Sequence, residues 1–148
     1  MSLKVLALDL ERTLVSDALR AEPRPGLLGF LSFCNEAFER VALFTTVEEA
    51  DAREVLEALE RGGRLPPGLH DRIEHVAWEG EYKDLRFIPD AAPDEVLLVD
   101  DDGGWVHPGQ RDRWLPIAPW DGGADDELAR VRSALQGWLA PPADRSDA

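Results

Sequence analysis

Short apolar runs recur along the chain, and several stop abruptly at a carboxylate or a hydroxyl. Residues 3–8 (LKVLAL) form the first, almost continuously apolar and closed by Asp9, which is the pattern of a strand buried on both faces. Leu27, Leu28, Leu31, Cys34 and Phe38 then fall at helical spacing and predict a helix over 27–38. A second buried strand is expected over 41–44 (VALF), stopping at Thr45-Thr46. Thr46 and Glu49 stand in capping-box register, so a helix is predicted over 47–61, ended by Gly62-Gly63. Further strands are predicted over 73–78, 96–99 (VLLV, followed by Asp100-Asp101-Asp102) and 114–117. A last helix is expected over 125–139, with acids at its N-terminal end and Pro141-Pro142 behind it.

Strands alternating with helices predict an α/β fold, with a mainly parallel sheet and helices on both faces. With no internal repeat and no linker, residues 1–140 are expected to form one domain and 141–148 a mobile tail. In such a sheet ligands gather beyond the carboxyl ends of the strands. Three chemically informative clusters fall there: Asp9, Thr45 and Asp100-Asp101.

The 148 residues suffice for a buried core, and 44% hydrophobic with 31% charged residues is a globular composition. The one cysteine, Cys34, excludes an internal disulfide and sits in an apolar segment, as a small core residue does. No run approaches the roughly 20 apolar residues of a membrane span, and the start carries no signal-peptide pattern. A cytoplasmic protein without a membrane partner is expected. The net charge of −14 would repel a phosphate backbone, so nucleic acid is a poor partner.

A carboxylate at a strand tip can attack phosphorus and form an aspartyl-phosphate, which assigns Asp9 as nucleophile. Glu11, two residues on, could protonate the leaving oxygen and then take a proton from water. The charge on a phosphate dianion calls for a hard cation such as Mg²⁺, held by carboxylates and carbonyls. Alone, Asp100-Asp101-Asp102 reads first as a solvated acidic turn; paired with Asp9 across a parallel sheet, it reads as the other half of a cation site. Thr45 and Thr46, before a helix, can hold phosphate oxygens or cap the helix. Lys83 is a candidate cation for the phosphate and for Asp9. Trp105 is the tryptophan best placed to line a site mouth, and His107, without a paired nucleophile, is not expected to be catalytic.

Taken in order, Asp9, Thr45, Lys83 and Asp100-Asp101 resemble the four motifs of the haloacid-dehalogenase (HAD) superfamily of phosphatases. Arg24-Pro-Gly, Leu43-Phe-Thr-Thr, Tyr82-Lys-Asp-Leu, Val96-Leu-Leu-Val-Asp-Asp, His107-Pro and Pro116-Ile-Ala-Pro-Trp are similar to the NLI-interacting-factor-like branch, which contains the small phosphatases of the RNA polymerase II C-terminal domain. The resemblance implies a HAD-like Rossmannoid three-layer sandwich with little or no cap. It also implies a Mg²⁺-dependent phosphomonoesterase acting on a phosphorylated small molecule or phosphoprotein. By the same resemblance Asp9, Glu11, Asp100 and Asp101 surround the metal, Glu11 lending its carbonyl and Asp100 supporting Asp101 or Lys83; Thr45, Thr46 and Lys83 bind phosphate.

Two departures shape the expectation. Glu11 stands where the branch has Asp, a longer reach by about one C–C bond, roughly 1.5 Å, and misplacement on that scale can cost around 100-fold in rate. An alternative is therefore a weakened or inactive HAD-fold protein that binds a phospho-ligand or a protein partner. Residues 16–23 also replace a longer insertion of the polymerase-tail phosphatases, so their phosphopeptide substrate is not carried over. A phosphoacceptor receiver domain is disfavoured by motif order, since its acceptor acid follows an earlier acidic pair.

Overall fold

In the computed structural model, residues 3–140 are described; the expected tail, 141–148, lies outside them. Five parallel strands form one sheet: β1 (Val5–Leu8), β2 (Arg40–Leu43), β3 (Glu74–His75), β4 (Val96–Asp100) and β5 (Trp114–Pro116), in the order β3-β2-β1-β4-β5. β1 is central, with Leu8 in register with Leu43 on one side and Val99 on the other. All its side chains are buried, as its unbroken apolar run requires of a strand covered on both faces.

Alternation along the strands feeds two cores. Leu6, Leu8, Val41, Leu43, Leu97 and Val99 face α1 (Leu27–Ala37), α2 (Glu49–Arg61), α3 (Leu69–Arg72) and α4 (Glu127–Leu139). Val5, Ala7, Ala42, Phe44, Val96 and Leu98 face a second core containing Val76, Leu85, Ile88 and Val106. Chain direction explains the division. The crossovers β1→β2→β3 and β3→β4→β5 step in opposite directions across the sheet, so right-handed connections fall on opposite faces. The second face is covered by short 3₁₀ turns, Leu85–Phe87, Pro93–Glu95, Gly103–Trp105 and Pro108–Arg113, which supply the third layer that α-helices were expected to supply. This is the HAD-like Rossmannoid architecture, and among the described residues no cap domain interrupts it.

Cys34 lies fully buried in the first core, and burial raises its thiol pKa well above the ordinary range. No helix among the described residues is long and apolar enough to cross a membrane.

Two local expectations are corrected. The strand predicted over 73–78 is reduced to two residues, Glu74–His75: the ladder closes with the Val76 N–H on the Leu43 carbonyl (3.0 Å), and beyond it Trp78 packs against the second core. The Thr46–Glu49 capping box does not form. The Thr45 hydroxyl accepts the Val47 N–H (3.1 Å), the helix begins two residues late at Glu49 behind Glu48, and no side chain caps it. Glu49 instead accepts from Arg53 (3.0 Å) one turn on.

A candidate phosphoryl-transfer site at the strand ends

The carboxyl ends of β1, β2 and β4 meet where the sheet order reverses direction, and the buried polar side chains concentrate there. Asp9 follows β1, and its N–H donates to the Val99 carbonyl (3.0 Å), so the backbone of β4 fixes it. Asp100 ends β4 and is 1% exposed. Lys83 enters from the second-face segment. Its N–H is anchored on the Trp105 carbonyl (2.7 Å), and its Nζ donates to Asp9 Oδ1 (3.0 Å) and Asp100 Oδ2 (2.6 Å). A lysine only 1% exposed needs such partners, since an unpaired buried ammonium is prohibitively costly.

Thr13, fully buried, completes the arrangement: its hydroxyl lies 3.1 Å from Asp9 Oδ2 and 3.3 Å from Asp101 Oδ1. Asp100 is occupied on both oxygens, by Lys83 and by the Asp102 N–H (2.9 Å). Asp101 is less committed, with the exposed Arg12 guanidinium 3.9 Å away.

Electrostatics mark the group as under-compensated. Burial pushes the Asp9 carboxyl up to about 8; Lys83 opposes the shift and Asp100 adds to it. Asp100 is raised, again chiefly by burial and against the pull of Lys83. Burial lowers the Lys83 ammonium, but Asp9 and Asp100 together outweigh it and raise it above its usual value. One buried cation thus serves two of the three carboxylates, and the third, Asp101, has only the exposed Arg12 at 3.9 Å. Asp9, Asp100 and Asp101 each offer an oxygen within 4.8 Å of the others. Opposite ligands of an octahedral Mg²⁺, with bonds of about 2.1 Å, lie about 4.2 Å apart, so the size and the hard oxygen donors suit such an ion.

The sequence model of the NLI interacting factor-like phosphatases matches residues 4–146. The chain belongs to that family. A search of the curated proteins found no match. Within this phosphatase family, the ordered residues Asp9, Thr45, Lys83 and Asp100-Asp101 are those the structure brings to one end of the sheet. Thr45 is buried, with its carbonyl held by the Trp78 indole N–H (2.8 Å), and Thr46 is exposed beside it.

Glu11 is placed differently from its neighbours. Its carboxylate is outside the three-acid grouping and accepts the Ala18 N–H at 2.8 Å, tying the loop of residues 10–23 back on itself. Its carbonyl accepts no hydrogen bond among the described residues and remains available. Arg12, next in sequence, takes a left-handed φ of 61°, which turns the chain sharply after Glu11.

Sequence reasoning passed over Thr13, Trp78 and the interior role of Arg24. Thr13 had a signal, since it is a hydroxyl residue only four positions after Asp9, in the loop that leaves β1. Arg24 had none, because its partners Arg12, Thr13, Ala118 and Asp125 are drawn from three separate stretches. Trp105 lines a cavity together with Thr45 and Thr46; Asp9, Lys83, Asp100 and Asp101 are not among its lining residues. His107 accepts the Gly109 N–H at the start of a 3₁₀ turn, a structural task.

Proposed function

We propose that this member of the phosphatase family is a Mg²⁺-dependent phosphomonoesterase of the HAD type, working through an aspartyl-phosphate on Asp9. The observation that carries the proposal is Lys83, buried and shared between Asp9 (3.0 Å) and Asp100 (2.6 Å), with Asp101 alongside in a grouping sized for a divalent ion. Asp9, Asp100, Asp101 and the free Glu11 carbonyl are the groups that would hold the ion. When bound, it supplies positive charge that favours the ionised Asp9 carboxylate and offsets the charge of the incoming phosphate.

In the first step an Asp9 oxygen bonds to phosphorus as the bond to the leaving oxygen breaks, and that oxygen takes a proton. In the second, water attacks phosphorus, the bond to Asp9 breaks, inorganic phosphate leaves and the carboxylate is restored. Lys83 holds negative charge on Asp9 and the phosphoryl oxygens, Thr13 orients Asp9 and Asp101 through one hydroxyl, and Thr45 supports the phosphate side. Glu11 is the acid/base candidate, with Oε2 held by the Ala18 N–H and Oε1 left to exchange the proton. A single domain over 1–140 acting on phosphorylated substrates is part of the same proposal.

A second reading, a phospho-ligand-binding protein with weak or no turnover, is favoured by the Glu11–Ala18 hydrogen bond. Hydrolysis of an aryl phosphate with and without Mg²⁺, by wild type, Asp9→Asn and Glu11→Asp, tests both. The proposal expects Mg²⁺-dependent turnover abolished in Asp9→Asn; equal rates in those two proteins refute it. A silent wild type made active by Glu11→Asp identifies a weakened enzyme. Silence in both, with Mg²⁺-dependent binding of a phosphate analogue, selects the binding protein.

A further inference from the structure

Beside Thr45 lies a cavity of about 520 Å³, within the range of small-ligand sites. Thr45 and Thr46, which follow β2 at the same end of the sheet as Asp9 and Asp100, line it. Trp105 lines it as well, and the Trp105 carbonyl is the one that anchors the Lys83 N–H (2.7 Å). Trp78 and Trp105 meet edge to face there, with ring centroids 5.8 Å apart. Around them stand Glu48, Glu49 and Glu79, and neither lysine nor arginine lines the cavity. Glu49 is engaged by Arg53 (3.0 Å). Glu48 and Glu79 are exposed, and each lacks a cationic partner among the described residues.

Binding a phosphate dianion does not call for this composition. Carboxylates at the entrance raise the cost of bringing in negative charge, and the chain's net charge of −14 adds to it. Indole is the aromatic surface that best attracts a cation, most strongly where water is partly excluded. An anionic ester can therefore approach favourably when the remainder of the molecule is positive.

We propose that this cavity is a subsite for a cationic group, an ammonium or a guanidinium, carried by the substrate a short distance from its phosphate. The proposal rests on the phosphatase reading only in placing both groups on one molecule. It disfavours polyanionic esters, in which every group beyond the reacting phosphate is negative. A basic residue beside a phosphorylated one in a peptide carries this chemistry, and so does a small alkylammonium phosphate.

Matched phosphopeptides with Arg or Glu flanking the phosphoresidue, together with phosphorylcholine and a neutral aryl phosphate, provide the test. Each is assayed for turnover by wild type and by Glu48→Gln/Glu79→Gln, and for binding to Asp9→Asn by tryptophan fluorescence. The expected result is at least about 10-fold tighter binding and higher kcat/KM for the Arg than for the Glu peptide at low salt. That ratio shrinks in the double variant and at high salt, while the aryl phosphate reacts equally with both proteins. The same dependence for phosphorylcholine, without it for the peptides, assigns a small-molecule source; the reverse assigns a peptide. Binding that follows Glu48 and Glu79 without hydrolysis of anything supports the subsite and removes the phosphatase reading. Hydrolysis of the aryl phosphate with equal handling of Arg and Glu peptides and of phosphorylcholine, or a preference unchanged in the double variant, overturns the subsite and leaves the phosphatase reading in place.

Discussion

Replacing Arg24 with alanine should cost this protein more than removing any of its exposed charges. The guanidinium is 1% exposed and spends all its donors inside. Nε and Nη2 grip Asp125 (2.7 and 3.1 Å), Nη1 reaches the Arg12 and Thr13 carbonyls (3.2 Å each), and Nη2 also reaches the Ala118 carbonyl (2.7 Å). Arg24→Ala leaves Asp125 without its cation and the Thr13 and Ala118 carbonyls without donors, while the Arg12 carbonyl keeps the Trp120 N–H (3.0 Å). Breaking a buried pair of this kind costs about 3–5 kcal/mol. In urea, with a slope of about 2 kcal/mol per molar, the midpoint should fall by about 2 M, and Tm by about 10 °C. Arg24→Lys retains charge but not the planar fork, so about half the loss should remain. A double-mutant cycle with Asp125→Ala should give a coupling of about 2 kcal/mol. The pair also has a pH signature. The Arg24 hydrogen bond holds the Asp125 carboxyl below its usual range. Because the folded value is depressed, the stabilisation is complete above the unfolded value of about 4 and fades as pH falls through the folded one. That acid-side slope should vanish in Arg24→Ala. A destabilisation under about 1 kcal/mol, or no coupling to Asp125, would refute the reasoning. Because Arg24 holds the consecutive carbonyls of Arg12 and Thr13, phosphate turnover should drop in the same variant.

Asp9→Asn should stabilise the metal-free protein. Its carboxyl is pushed up to about 8, so ionising it in the folded state opposes folding progressively from about pH 4 to pH 8. The variant should gain about 1–3 kcal/mol at pH 8 and little at pH 4, and Mg²⁺ should raise the Tm of wild type more than that of the variant; identical pH slopes in thermal melts contradict this. Thr13→Val keeps the shape but removes the hydroxyl shared by Asp9 and Asp101; kcat should fall about 10- to 100-fold with a stability change of no more than about 2 kcal/mol, checked by steady-state kinetics over a Mg²⁺ titration. Trp78→Phe removes the donor to the Thr45 carbonyl; it should cost about 1 kcal/mol in urea unfolding and raise KM more than it lowers kcat. Leu19→Ser, at a side chain 98% exposed, should leave the melting curve unchanged.

The central strands were legible because burial on both faces writes itself as an unbroken apolar run. β2 and β4 fall within a residue of expectation, β1 starts two residues late and ends where expected, and the acids and the threonine stand at their ends. β3 was overestimated for the opposite reason. Only two of its residues pair, and the apolar residues beyond them belong to the second core, a distinction that alternation in one short run does not carry. The four 3₁₀ turns lack a repeating period and were not foreseen. The capping box failed because the helix starts at Glu49 behind Glu48, two residues beyond the position at which Thr46 would cap it, while Thr45 takes the Val47 N–H in the turn before it.

For the site, sequence alone determined which residue types stand at which strand ends, since a β-strand's last residue emerges at the sheet edge whatever else packs around it. It determined the order acid, threonine, lysine, acid, and with it the family. Only the tertiary structure decided that Lys83, 74 residues from Asp9, enters between two carboxylates. It also decided that Glu11 turns to Ala18, that Thr13 and Arg24 hold the loop, and that three glutamates and two tryptophans surround one cavity. These depend on which segments the sheet order and right-handed crossovers bring to the same end. Distances of that kind are set by packing across the whole molecule, whereas strand-end chemistry is set by a few adjacent residues.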